Sequence, residues 1–315
     1  MSQEQHMVPV TILTGFLGSG KTTLLNRLLR LPELADTAVI VNEFGEIGLD
    51  HLLIEQAIED AVLLKNGCIC CTVRGDIADT LRDLFARRAS GDVPWFSRIA
   101  IETTGLADPA PVAQSIVDSG EHCRLDAIVT TADALNLPQQ LAEHAAARHQ
   151  VAFADRVLLT KADLASAAQC AEAARMLRLL NPRAATRPVA EVTAEDVFGV
   201  GRAALALDFH AVATSHGEIS SVLLRAGELQ WDSVRRWCCS VLSLRGADIL
   251  RIKGVLRLRG ASRPVAMQAV HHMVHPPHPL PMAADPGEGS FLVVIGRNLP
   301  QAGLEASFRA AHCDR

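Results

Sequence analysis

Gly15-Phe16-Leu17-Gly18-Ser19-Gly20-Lys21-Thr22 lies between a short apolar run, Val10 to Leu13, and Thr23-Leu24-Leu25-Asn26-Arg27-Leu28-Leu29, whose leucines recur at helical spacing. Strand, glycine-rich loop, Lys-Thr and helix in that order form the P-loop arrangement. The glycines let the backbone curl so that successive N–H groups of Gly15, Gly18, Ser19 and Gly20 turn inward on a phosphate chain. The helix start adds its positive dipole end, where Thr22 and Thr23 sit. In such a loop Lys21 reaches the β- and γ-phosphates and the Thr22 hydroxyl ligates Mg²⁺. The stretch is read as a nucleotide site.

Outward from it, apolar runs alternate with helical periodicities. Thr37 to Val41, Ala61 to Leu64, Arg98 to Ile101, Ala127 to Val129 and Arg156 to Leu159 read as strands. Helices are expected near Ile77 to Phe85, Pro111 to Ser119, Gln139 to Gln150 and Ala165 to Leu180. That alternation predicts an α/β domain, a doubly wound and mostly parallel sheet. After about Ala206 the pattern changes. His210 to Ser220 reads as a linker, followed by a helix (Trp231 to Leu242), three strands (Ile249 to Val255, Val265 to Val270, Phe291 to Ile295) and a proline-rich loop, His275 to Pro281. The expected division is a nucleotide domain over residues 1–207, a linker over 208–220 and a smaller α+β domain over 221–315.

Composition narrows the classes. The chain has 315 residues, 49% of them hydrophobic and 21% charged, with a formal net charge of −5. This offers no overall basic surface for nucleic acid. No apolar run approaches the roughly 18 residues of a membrane span, and Met1 to Pro9 lack a signal-peptide core. The eight cysteines are spread unevenly rather than as a disulfide framework, and with the P-loop they point to a cytoplasmic protein.

Two strand ends supply further chemistry. Glu102, after Ile99-Ala100-Ile101, is placed to support the Mg²⁺ shell or orient an attacking water, and Gly105 to offer an N–H to the γ-phosphate. Thr160-Lys161-Ala162-Asp163 ends another strand. An aspartate there accepts from both N1–H and the 2-amino group of guanine, a donor pair adenine lacks, so Lys161 and Asp163 point to GTP. Thr160 stands where asparagine is commonest in such motifs.

Cys68-Ile69-Cys70-Cys71 puts three thiols within four residues. Thiolates suit Zn²⁺ or Cu(I), and three from one segment leave a coordination position open, as transient loading requires. The alternative for any one of them is a small buried hydrophobe. His271, His272, His275 and His278 are read as packing residues rather than as a metal site.

In this order GFLGSGKTTLLN, VNEFGEIGLD, NGCICC, IETTGLADP, TKAD, DILRIKGVLRL, QAVHHMVHPP and FLVVIGRNL resemble the CobW-type metallochaperone GTPases over nearly the whole chain. The resemblance implies slow GTP hydrolysis coupled to delivery of a metal, zinc foremost and cobalt next, to a client metalloprotein, by a monomer or a homodimer. It also implies zinc binding by the Cys-x-Cys-Cys segment, with Glu43 of the Asn-Glu-Phe-Gly loop among the ligands. Many such proteins carry a His-rich stretch between domains; here that region holds only His210 and His216, which favours transfer over storage. Two other readings remain: a metal buffer or sensor with a vestigial nucleotide site, and a P-loop regulator whose cysteines are structural or redox-active.

Overall fold

The computed structural model describes residues 7–42, 69–72, 76–119, 122–182, 184–199, 215–216, 219–246, 248–270, 273–274, 277–280 and 289–312. The chain divides into two compact units, Met1–Leu177 with Ala184–Gly201, and Arg178–Arg183 with Arg202–Arg315.

The first unit is built on seven parallel strands: β1 (Val8–Gly15), β2 (Thr37–Asn42), β3 (Ile69–Thr72), β4 (Arg98–Thr103), β5 (Cys123–Asp133), β6 (Arg156–Thr160) and β7 (Ala185–Pro188). Their spatial order is β3-β2-β4-β1-β5-β6-β7. Among the described residues every pairing in it is parallel, in line with the sheet expected as mostly parallel. Val10, Ile12, Ile40, Ile99, Ile101, Ile128 and Leu158 are buried. Strands covered on both faces need such unbroken apolar runs, which is why they were legible as runs. The chain leaves β1, builds the β2–β4 side and returns to place β5 on the other flank of β1. The carboxyl end of β1 is therefore the switch point where open α/β sheets bind ligands.

Helices α1 (Lys21–Leu29), α2 (Ile77–Ser90), α3 (Pro109–Asp118), α4 (Leu137–Glu143), α5 (Ala145–Phe153), α6 (Ala167–Leu180) and α7 (Ala194–Phe198) connect the strands. The helix read as continuous from Gln139 to Gln150 is two, because His144 is extended (φ −120°, ψ 116°) between α4 and α5. Its ring stacks on Phe16 at 4.6 Å and 24°, a contact between distant segments that helical periodicity cannot report. The strand expected at Ala61 to Leu64 lies outside the described residues.

The second unit is an antiparallel sheet of β8 (Ser215–His216), β9 (Ile219–Ala226), β10 (Ile249–Leu256), β11 (Val265–Val270), β12 (Met273–Val274), β13 (His278–Pro279) and β14 (Ser290–Arg297), in the order β12-β11-β10-β14-β9-β8 with β13 on β11. One face is covered by α8 (Trp231–Arg245) and α9 (Gln301–His312). Val222, Leu224, Ile252, Met267, Leu292 and Val294 meet Val234, Trp237, Leu242, Leu304 and Phe308 there. Trp237 and Phe308 pack edge to face at 4.9 Å. Strands β8 and β9 reach into the stretch read as linker, and β13 into the loop read as irregular. Helix α9 escaped the sequence reading because only Leu304 and Phe308 of its twelve residues are buried.

Candidate functional site

The loop from Gly15 to Gly20 closes the end of β1. Gly15 has φ 144°, and a Cβ there would stand 2.3 Å from Thr131 Oγ1 and 2.5 Å from the Thr131 carbonyl oxygen. Gly20 caps α1 in the left-handed region, φ 90°, which an L side chain adopts only under strain. Ser19 is buried, its hydroxyl 2.7 Å from Thr131 Oγ1. Lys21, the first residue of α1, is 8% exposed. Its ammonium donates to the Gly15 carbonyl at 2.9 Å and the Phe16 carbonyl at 3.4 Å, so it lies folded across the loop's inner edge. Thr23 is exposed, one residue beyond the half-buried Thr22.

Thr22 Oγ1 donates to Glu102 Oε1 at 2.6 Å. Parallel pairing of β1 with β4 sets Leu13 beside Glu102, which brings a carboxylate at the end of one strand to a hydroxyl at the start of the helix after the other. These two hard oxygen donors, one anionic, fit a magnesium ion held mainly by water and phosphate. Beyond Glu102, the Thr104–Ala107 turn is closed by the Ala107 N–H on the Thr104 carbonyl at 3.2 Å. Gly105 lies against the loop so closely that a Cβ would meet Leu17 Cα and N at 2.7 Å.

On the other flank of β1, Thr160 Oγ1 donates to the Ser19 carbonyl at 2.8 Å and to the Ala132 carbonyl at 3.2 Å. A single hydroxyl thus ties the end of β6 to the phosphate-type loop. Lys161 takes φ 55° and donates to Asp133 Oδ2 at 2.7 Å. Asp163 is exposed two residues on.

Asp133 was not singled out from the sequence. Its carboxylate also accepts from the Leu135 amide at 2.9 Å and from Asn136 Nδ2 at 2.8 Å. Burial pushes this carboxyl up, but the hydrogen bonds from Lys161, Asn136 and Leu135, together with the Lys161 charge, outweigh burial and hold it below the ordinary range. An acid at a strand end with asparagine three residues later was the available signal. A folded-state value below the unfolded one stabilises the fold above the free carboxyl value of about 4, and that contribution fades as the pH falls through the lowered value. Asp133→Asn is accordingly expected to cost about 2 kcal/mol at pH 7 and progressively less in acid. Urea unfolding of both proteins across pH 3 to 7 checks it, and a pH-independent difference would remove the charge from the account.

The cysteine segment is placed by backbone alone. Cys70 and Cys71 lie in β3, the outermost of the described strands, in register with Val39 and Ile40 of β2, which in turn pair with Ala100 and Ile101 of β4. Thr72, Val41 and Glu102 form the next row across the three strands. Cys68 and Glu43 lie outside the described residues, as do His271, His272 and His275. His278 is placed only as a β13 backbone position.

A P-loop at the switch point of a parallel sheet, with a threonine–carboxylate pair beside the loop lysine, defines the class: a P-loop nucleotide-binding protein. Residues 9–188 match the model of the CobW/HypB/UreG nucleotide-binding domain, and residues 219–312 that of the cobalamin synthesis protein cobW C-terminal domain. The chain belongs to the CobW/HypB/UreG family. Zinc chaperone YjiA of Escherichia coli is 33% identical, with 96% of this chain and 98% of that protein covered. Zinc chaperone CobW of Pseudomonas aeruginosa is 31% identical, with 96% and 91% covered. The crystal structure of Zn(II)-bound YjiA GTPase from E. coli superposes with a TM-score of 0.70 at 28% identity, covering 97% of this chain and 99% of that one. Among the described residues no helix is long and apolar enough to cross a membrane.

Proposed function

We propose that this protein is a cytoplasmic GTPase that couples GTP turnover to the binding and delivery of Zn²⁺ to a client metalloprotein. The relatives named zinc chaperones, similar over nearly their whole length, support the zinc reading. The loop residues Gly15, Gly18, Ser19, Gly20, Lys21, Thr22 and Thr23 hold the phosphates. Thr22 and Glu102 hold the magnesium ion, which when bound offsets charge on the phosphates. Gly105 offers its N–H to the γ-phosphate, and Lys161 with Asp163 selects guanine. Cys68, Cys70 and Cys71, with Glu43, carry the zinc as cargo. The first unit does this work, and the second, which includes β8 and β9, receives the client.

The observation that carries the coupling is register. The strand bearing Cys70 and Cys71 is hydrogen-bonded through β2 to β4, which carries Glu102 next to its last residue, so a shift of the β4 end on hydrolysis is felt at the cysteine strand. Zinc affinity is expected to differ by about tenfold or more between the GDP state and the state with a non-hydrolysable GTP analogue, about 1.4 kcal/mol of coupling. Competition with a chelator measures it, and Cys70→Ser should abolish both the affinity and its nucleotide dependence. Equal affinity in the apo, GDP and analogue states would sink the coupling and favour a buffer or an unconnected metal site.

A further inference from the structure

Helix α5 carries a buried amide that the proposed chemistry does not use. Gln150 is 1% exposed, and its Nε2 donates to the Gly105 carbonyl at 3.1 Å and to the Ala107 carbonyl at 3.0 Å. Both amide protons are spent on one turn. The Thr104 carbonyl is already taken by the Ala107 N–H. In a trans peptide the N–H points opposite to the carbonyl of the preceding residue. With the carbonyls of Thr104 and Gly105 engaged, the N–H groups of Gly105 and Leu106 are turned away from those partners, and the Leu106 side chain is exposed.

Two further contacts fix the frame in which Gln150 acts. The Thr130 hydroxyl donates to the Gln150 main-chain carbonyl at 2.8 Å, which pins this point of α5 to β5. His149 Nδ1 lies 3.1 Å from Asp108 Oδ2, and Asp108 Oδ1 accepts from the Ala110 amide at 3.0 Å at the start of α3. The helix therefore holds Gly105, Ala107 and Asp108, while Gly105 is pressed against Leu17 of the loop.

We infer that Gln150 is a positioning residue for GTP hydrolysis: through the Gly105 and Ala107 carbonyls it holds in place the 104–107 turn from which the Thr104–Gly105 peptide presents the Gly105 N–H to the γ-phosphate. This rests on the reading of Gly105 as a γ-phosphate contact. A residue acting this way matters when the γ-phosphate is present and not when it is absent. A residue that merely packs α5 affects both states alike.

The test compares GDP and a non-hydrolysable GTP analogue on the full chain. Gln150→Met, of similar length but without donors, is expected to bind GDP within about twofold of wild type. Its analogue affinity and kcat should each fall about tenfold, in line with two lost hydrogen bonds. Equal losses for both nucleotides, or no loss for either, would overturn the inference.

Gln150→Glu provides a second readout should the methionine protein not fold. A buried glutamate regains one donor when protonated, and burial raises the pH at which it does so. Its analogue affinity should recover relative to wild type as the pH is lowered from 8 to 6. The neighbouring His149 and Asp108 are common to both proteins, so the difference isolates position 150, and a flat difference overturns the inference. Gly105→Ala tests the reading beneath. An unchanged ratio of analogue to GDP affinity in that protein would remove the Gly105 contact itself, whatever Gln150→Met does.

Discussion

Replacing Lys21 with alanine is expected to slow GTP turnover by about 10²- to 10³-fold, the usual effect of deleting one preorganised charge at a reacting centre, with the fold retained. Lys21 sits at the start of α1, only 8% exposed, with its ammonium on the Gly15 and Phe16 carbonyls. Its charge is therefore delivered to the inner edge of the loop, where the β- and γ-phosphates would lie. The loop is also held by Gly15, Ser19 and Thr131, so losing the lysine need not unfold it. Lys21→Arg should not rescue turnover, since a planar guanidinium does not fit a site shaped around a compact ammonium. Phosphate release measured beside far-UV circular dichroism separates the two effects. Absence of turnover in the wild type, with no change in the folded Lys21→Ala protein, would return the nucleotide site to the vestigial reading.

Gly15→Ala is expected to have the largest effect on stability, about 3 kcal/mol or more, the range in which backbone strain and overpacking combine. The added methyl would lie 2.3 Å from Thr131 Oγ1, 2.5 Å from the Thr131 carbonyl oxygen and 2.7 Å from Ser19 Oγ, at a backbone φ of 144°. Neither threonine oxygen can retreat freely, because Thr131 lies within β5 and is paired with Gly15 itself. Gly18→Ala is the matched control. Its φ is 70°, but nothing stands within 4 Å of the added carbon, so only the left-handed backbone cost of about 1–2 kcal/mol applies. Urea denaturation midpoints for the two variants should differ clearly. Comparable midpoints would mean that the β1–β5 seam gives way more easily than its close contacts imply.

How much of this was readable follows from how local each feature is. The β1–loop–α1 unit, Glu102 at the end of β4 and the 160–163 motif are short stretches whose chemistry depends on immediate neighbours and on ending a strand. The parallel sheet was legible because strands buried on both faces are written as unbroken apolar runs. The break at His144 was not, since its ring contact is with Phe16, more than a hundred residues away. Gln150 carried no signal either, because a glutamine in a helix usually faces water, and only the fold brings it under the 104–107 turn. Strand β9 was missed, because its start Ile219-Ser220-Ser221 reads as the tail of a connector.

The Thr160 hydroxyl joins the stretch assigned to the base to the loop assigned to the phosphates through one 2.8 Å hydrogen bond to the Ser19 carbonyl. On that assignment the two ends of a nucleotide are not sensed independently. A purine that seats badly at Asp163 pulls on Thr160 and, through it, on the backbone that must hold the γ-phosphate still. Discrimination between guanine and adenine is then expected in speed as well as occupancy: a wrong nucleotide that does bind would also be turned over poorly, so that fidelity would not rest on affinity alone.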